Sequence, residues 1–219
     1  MYAKILVTLL LINHLNNIVL SNNHIITEKI FKAGFEFEEH KIITEDGYIN
    51  TAWRIPKRIG EVYISPRKPV MLQHGILDDS WTFFALKAED CLPIMLAEEG
   101  YDVWITNSRG NIFSNDHINK DLKSDNISSK YWDFTFYEMA KYDFPAFVEH
   151  IRKTTNFEKI IYIGHSQGTF QYFLNYLIDP SFIESRIERY VSIGTVVTVF
   201  NMVMCINIVC SYSQDSKLY

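Results

Sequence analysis

Apolar and polar positions change spacing repeatedly along this chain, and the changes mark its elements. The runs His40-Lys41-Ile42-Ile43-Thr44 and Tyr48-Ile49-Asn50-Thr51-Ala52-Trp53-Arg54-Ile55 flank Glu45-Asp46-Gly47. Strand-like runs joined through Asp-Gly predict a β-hairpin at the start of a sheet. Two short apolar runs follow, Pro69-Val70-Met71-Leu72-Gln73 and Tyr101-Asp102-Val103-Trp104-Ile105-Thr106. Each stops at a polar loop that contains glycine, His74-Gly75 in one case and Asn107-Ser108-Arg109-Gly110-Asn111 in the other. Between them, Cys91 to Gly100 carries Leu92, Met95 and Leu96 ahead of a terminal glycine, the pattern of an amphipathic helix and its cap. Met139, Phe144, Phe147, Val148 and Ile151 recur near helical spacing and predict a second helix from Phe136 to Lys153, whose start Pro145 should displace or kink. Ile160-Ile161-Tyr162-Ile163 reads as a strand, the segment after Ser166 as a third helix, and Tyr190-Val191-Ser192-Ile193 as another strand. Strands alternating with helices predict an α/β fold, a mostly parallel sheet with flanking helices.

Composition narrows the class. The 219 residues are 47% hydrophobic and 15% aromatic, enough to bury one sizeable core. A formal net charge of -5, with Lys and Arg scattered among Asp and Glu, provides no basic stripe and disfavours nucleic-acid binding. Cys91, Cys205 and Cys210 are too few and too unevenly placed for a disulfide framework or a zinc site. Either Cys205 pairs with Cys210 or all three stay free. Met1-Tyr2-Ala3-Lys4 followed by the apolar run Ile5 to Ile12 has the layout of a secretory signal peptide. The run is shorter than the roughly 20 residues that a membrane span needs. Residues 1–21 are thus expected to be a leader with cleavage near Ser21, and residues 22–219 the domain. Asn126-Ile127-Ser128 is a glycosylation sequon, meaningful if the chain is secreted. The uncharged stretch Val191 to Cys210 is long enough to cross a bilayer, but Asn201 and Asn207 argue against that.

The chemistry concentrates at Gly164-His165-Ser166-Gln167-Gly168, directly after the Ile160 to Ile163 strand. This is the G-x-S-x-G pattern in which a strand turns sharply into a helix and presents a serine. Side chains at Gly164 or Gly168 would collide with the strand and helix that grip the turn. A serine hydroxyl is a weak nucleophile and needs a base, a group to orient that base, and donors for the oxyanion. One donor is expected from the backbone N–H of Gln167. The loop Leu72-Gln73-His74-Gly75-Ile76-Leu77 should supply the other from the N–H of Ile76, with Gly75 allowing close approach.

Four segments together give the chain a resemblance to the acid lipase family of α/β-hydrolases, which includes gastric and lysosomal acid lipases. They are Thr44-Glu45-Asp46-Gly47-Tyr48 with Arg54-Ile55-Pro56; Leu72 through Ser80; Gly100-Tyr101-Asp102-Val103-Trp104 with Asn107-Ser108-Arg109-Gly110-Asn111; and Trp132-Asp133-Phe134-Thr135-Phe136 through Met139-Ala140-Lys141-Tyr142-Asp143 to the Ser166 motif. The likeness covers roughly Ile30 to Val196. It implies a secreted or lysosomal serine hydrolase of neutral lipid esters such as triacylglycerols or cholesteryl esters, in transient contact with lipid surfaces and without metal or organic cofactor. Within these segments, Arg109 and Asn111 are expected to tie a loop, Trp132, Phe134 and Phe136 to belong to the core, and Tyr142 and Asp143 to start or cap a helix.

The chain departs from the family after the nucleophile. In this architecture the triad follows the order Ser, Asp/Glu, His. Beyond Ser166 the sequence offers Asp179 and Asp215 but no histidine. Among the earlier histidines, His74 and His165 lie inside loop and turn motifs, and His40, His117 and His150 lie on elements not expected to reach Ser166. The triad Asp and His therefore have no counterpart here, and the expectation is an α/β-hydrolase incomplete at its C-terminal end: a weak ester hydrolase, or a non-catalytic lipid-binding remnant.

Overall fold

The computed structural model describes residues 24–62, 65–122, 124–125 and 129–198. The leader, the sequon at Asn126 and the pair Cys205 and Cys210 lie outside them. Cys91 is a buried free thiol.

The hairpin forms as the pattern predicts. β1 (Glu38–Ile43) pairs antiparallel with β2 (Tyr48–Ile55), with Lys41 opposite Thr51. The chain reverses at Gly47, whose φ of +96° suits glycine and whose missing Cβ would lie 2.9 Å from the His117 ring. β3 (Pro69–Gln73), β4 (Asp102–Asn107), β6 (Ile160–His165) and β7 (Ile187–Ile193) complete the main sheet in the order β1-β2-β4-β3-β6-β7, while the short β5 (Asp116–His117) pairs with β2. The parallel character expected from alternating strands and helices holds from β4 to β7. Toward β1 the pairings are antiparallel, so the sheet is mixed.

Helices cover both faces. Ile26 and Ile30 of α1 (24–32) and Ile94 and Ala97 of α2 (Leu92–Glu98) pack with Trp53, Ile55, Val70, Leu72, Val103 and Ile105. On the other face, Phe144, Phe147, Val148 and Ile151 of α4 (Phe144–Thr155) pack with Ala52, Met71, Trp104, Ile160 and Tyr162. Every residue of β3 and β4 is buried, as expected for strands covered on both sides.

The helix predicted over Phe136 to Lys153 is broken into three pieces. A short α3 (Phe136–Glu138) opens with a capping box between Thr135 and Glu138, a π-helical turn runs Met139–Asp143, and α4 follows with Pro145 in its first turn. Proline is tolerated there because the first N–H groups of a helix have no intrahelical partner. After β6 come α5 (Gln167–Ile178) and α6 (Pro180–Arg186). No helix among the described residues is long and apolar enough to cross a membrane.

This topology fixes where a site can form. From β3 the chain steps to β4 on one side, then crosses to β6 on the other. The connections leaving the carboxyl ends of β3 and β6 therefore diverge, and in open α/β sheets ligands bind in the crevice at such a switch point. The loops found there carry Gly75 and Ser166.

Candidate active site

Ser166 occupies the turn between β6 and α5 with φ +50° and ψ -111°, a conformation costly for a residue with a Cβ. The surroundings hold it there. Its N–H donates to the Ile193 carbonyl at the end of β7 (2.9 Å), and its own carbonyl accepts from the Thr169 N–H (2.9 Å) and hydroxyl (2.6 Å). The flanking glycines leave no room for side chains: a Cβ on Gly164 would lie 2.8 Å from Gly168 C and Thr169 N, and one on Gly168 would lie 2.7 Å from the Gln73 carbonyl oxygen. Gln167 opens α5, so its N–H belongs to the first-turn donors that no helical carbonyl can reach, at the positive end of the helix dipole.

The loop after β3 closes on this turn. A Cβ on Gly75 would lie 3.3 Å from Ser166 Cβ and 3.1 Å from His165 Nδ1, tighter than ordinary contact, so glycine lets the strand end approach the serine without displacing either side chain. Ile76 follows, half-buried, and Leu77 adopts φ +56° with its side chain almost fully exposed (96%).

His74 anchors that loop. Its Nδ1 lies 2.7 Å from the Gly75 carbonyl oxygen and its Nε2 3.1 Å from the Ser108 N–H. A carbonyl only accepts and an N–H only donates, so the ring is neutral with its proton on Nδ1. Burial pushes its pKa below the ordinary histidine value, which favours the neutral ring. Asn111 donates to Asn107 Oδ1 (2.9 Å), which also accepts from the Ser80 N–H (3.0 Å).

Arg109 ties the β4 loop more extensively. It donates from Nε and Nη2 to Asp143 Oδ1 (2.9 and 2.7 Å) and from Nη1 and Nη2 to Asp46 (2.6 and 2.9 Å), with the guanidinium 3.9 Å from the centre of the Tyr48 ring. Asp143 therefore faces Arg109 and caps no helix by hydrogen bonding. Trp132 is exposed, Phe134 and Phe136 are only partly buried, and none of the three joins the two core clusters. The first two pack on Gly110, where a Cβ would meet them at 2.9 and 2.8 Å, and Phe136 packs edge-on against Phe170.

His165, next to Ser166 in the turn, lies against Gly75, and three histidines further off are bonded away from the serine. His117 Nε2 lies 3.0 Å from the Asp46 carbonyl oxygen, and His40 bridges Glu38 (3.0 Å) and His150 (3.1 Å). Among the described residues no group of three or more His, Cys, Asp or Glu side chains could hold a metal ion.

One feature of the site was not legible in the sequence. The π-helical turn brings Met139 Sδ to 3.0 Å from Gln167 Nε2 and the Ala140 carbonyl to 2.9 Å from Asn175 Nδ2. Gln171 Nε2, between them on α5, donates to Ser108 Oγ (3.0 Å). The available signal was the amide stripe Gln167, Gln171, Asn175, spaced four apart on a helix that is otherwise mostly apolar or aromatic.

A mixed sheet with a strained serine after its fifth main strand and a glycine loop closing over it defines a hydrolase scaffold, and comparison with known proteins agrees. The chain belongs to the α/β-hydrolase fold family: the family's sequence profile, described as "alpha/beta hydrolase fold", matches residues 68–205, and a "partial alpha/beta-hydrolase lipase region" matches residues 26–87. Its relatives are lipases. It is 40% identical to Lipase 1 of Drosophila melanogaster over 153 residues, covering 70% of this chain and 32% of that protein. It is 39% identical to the human lysosomal acid lipase/cholesteryl ester hydrolase and 38% identical to the rat gastric triacylglycerol lipase, each over 175 residues, 80% of this chain and 43% of the relative. The chain thus spans less than half the length of these relatives. A solved structure of a laboratory-evolved potato epoxide hydrolase matches 76% of this chain and 42% of its own with a TM-score of 0.51 at 17% identity, a likeness of fold alone.

Proposed function

We propose that this protein is a serine ester hydrolase of the acid lipase type, acting on neutral lipid esters, with Ser166 as its nucleophile. The observation that carries the proposal is the juxtaposition at the switch point: Ser166 at φ +50° beneath Gly75, with the Gln167 N–H opening α5 beside it. In the reaction, Ser166 Oγ attacks the ester carbonyl carbon, the π electrons move onto the carbonyl oxygen, and the Ile76 and Gln167 N–H groups hold the resulting oxyanion. On collapse the bond to the leaving oxygen breaks, and that oxygen takes up, through solvent, the proton that Ser166 Oγ gave up and departs as the alcohol. Water then attacks the acyl-serine, the acid is released, and a proton returns to Oγ. The relatives named for triacylglycerol and cholesteryl ester support the substrate class.

This chemistry also needs a general base. The described histidines on β1, β5 and α4 are bonded away from Ser166 and do not supply it. On this reading residues 22–219 are the lipase domain, residues 1–21 its secretory leader and Asn126 its glycosylation acceptor, in keeping with relatives that are gastric and lysosomal.

The test is hydrolysis of a short-chain p-nitrophenyl ester by the wild type and by Ser166→Ala. Turnover that disappears in the variant supports the proposal. Equal background rates at matched, folded protein concentrations would leave a lipid-binding role as the better reading.

A further inference from the structure

The nucleophile turn is braced from a side that the triad does not use. α5 presents Gln167, Gln171 and Asn175 on one stripe, all essentially buried at 6%, 0% and 2% exposure. Buried amides need partners, and all three reach the π-helical turn Met139–Asp143, Gln171 only through a long contact of 3.8 Å from its Nε2 to Met139 Sδ. Gln167 Nε2 donates to Met139 Sδ at 3.0 Å and Asn175 Nδ2 to the Ala140 carbonyl at 2.9 Å. Single π-helical turns inside α-helical segments are uncommon and concentrate at functional sites. This one is fixed at its far end by Asp143, which accepts from the Arg109 guanidinium and from the Arg109 N–H (3.2 Å).

We infer that Met139 is a positioning residue for the oxyanion site: its sulfur clamps the Gln167 side chain and thereby sets the direction of the Gln167 backbone N–H. The inference rests on the proposed role of that N–H in ester hydrolysis. The physical reason lies in the location of Gln167. As the first residue of α5, its N–H has no carbonyl to orient it, and only its neighbours and its own side chain can restrain it. A thioether is a weak acceptor, but with the amide sequestered from water it is the partner supplied. In a regular α-helix over Phe136 to Lys153, one residue fewer per turn would rotate Met139 relative to the Asp143 anchor and withdraw the sulfur from Gln167.

Met139→Leu removes the acceptor at nearly constant volume, a change cores tolerate well. Met139→Gln restores an acceptor oxygen at the same chain length. The experiment measures the backbone order parameter of Gln167 by ¹⁵N relaxation in the three folded proteins, with Thr169 and Phe173 as internal references. The inference predicts a rigid Gln167 N–H, about 0.85, in the wild type, a fall toward 0.6 in Met139→Leu confined to the start of α5, and recovery in Met139→Gln. An unchanged value in Met139→Leu, or a fall spread equally along α5, would overturn it. Short-chain ester turnover in the same proteins should show a kcat reduced about tenfold in Met139→Leu at constant KM. If the wild type shows no turnover, the hydrolase reading suffers while the relaxation comparison still decides the role of Met139.

Discussion

Arg109 and Asp143 form an ion pair in which neither side chain is exposed to solvent, joining the loop after β4 to the turn that precedes α4. Burial of the carboxylate pushes its pKa up, and the Arg109 guanidinium opposes that shift. Removing one partner of a buried pair strands the other charge, at a cost of about 3–5 kcal/mol. Asp143→Ala should lose stability on that scale in urea unfolding at neutral pH. A loss below about 1 kcal/mol would mean that Asp46 and the Tyr48 ring suffice to hold Arg109.

The two glycines beside Ser166 give a steric prediction. Gly168→Ala would place a methyl group 2.7 Å from the Gln73 carbonyl oxygen, and Gly164→Ala one 2.8 Å from the α5 backbone. Backbone cannot yield as a side-chain tip does, so each substitution should cost about 1–3 kcal/mol or more. Gly60→Ala is a useful contrast: its φ of +74° disfavours alanine, but no atom lies within 4 Å of the new Cβ. Its unfolding midpoint should fall less than that of Gly168→Ala.

Much of this fold could be read from periodicity because its elements are locally specified. The Asp-Gly hairpin, the apolar strand Pro69–Gln73 and the strand-to-helix turn at Ser166 each carry their signal within a few residues. What could not be read depends on distant partners. Arg109 is bound to Asp46 and Asp143, 63 and 34 residues away, and no local pattern announces either contact. The π-helical turn was hidden because Met139, Phe144 and Phe147 still match a continuous helix, and one extra residue in a turn hardly disturbs that match. Trp132 and Phe134 were expected in the core on apolarity alone, whereas they pack on the loop at Gly110 and remain partly exposed. The antiparallel half of the sheet follows from where β2 pairs, which short-range order does not encode.

The strain at Ser166 separates stability from chemistry. A residue held at φ +50° and ψ -111° costs about 1–3 kcal/mol, which glycine relieves, partly offset by the greater freedom of glycine in the unfolded chain. Ser166→Gly should therefore be about 1 kcal/mol more stable than Ser166→Ala in urea unfolding. Equal stabilities would show that the surrounding hydrogen bonds remove the strain.

Two histidines predict how stability responds to acid. Burial lowers the pKa of His74, and burial together with His40, Lys153 and Arg54 lowers that of His150. In the unfolded chain both titrate near 6.5. As pH falls through about 6.5 the unfolded state takes up protons that the native state resists, so the stability contributed by these groups declines. His150→Gln should flatten the loss of stability between about pH 7.5 and 5.5 relative to the wild type. An unchanged slope would show that His150 is protonated equally well folded and unfolded.

The proposed ester hydrolysis requires Ser166 to act as the nucleophile. The most direct measurement is treatment of the folded protein with a fluorophosphonate, followed by peptide mass mapping, with and without a competing neutral lipid ester. The prediction is one phosphonyl adduct on Ser166, suppressed by the ester and absent from Ser166→Ala. No adduct at Ser166 after prolonged exposure, or labelling spread over other hydroxyl residues regardless of competitor, would contradict it.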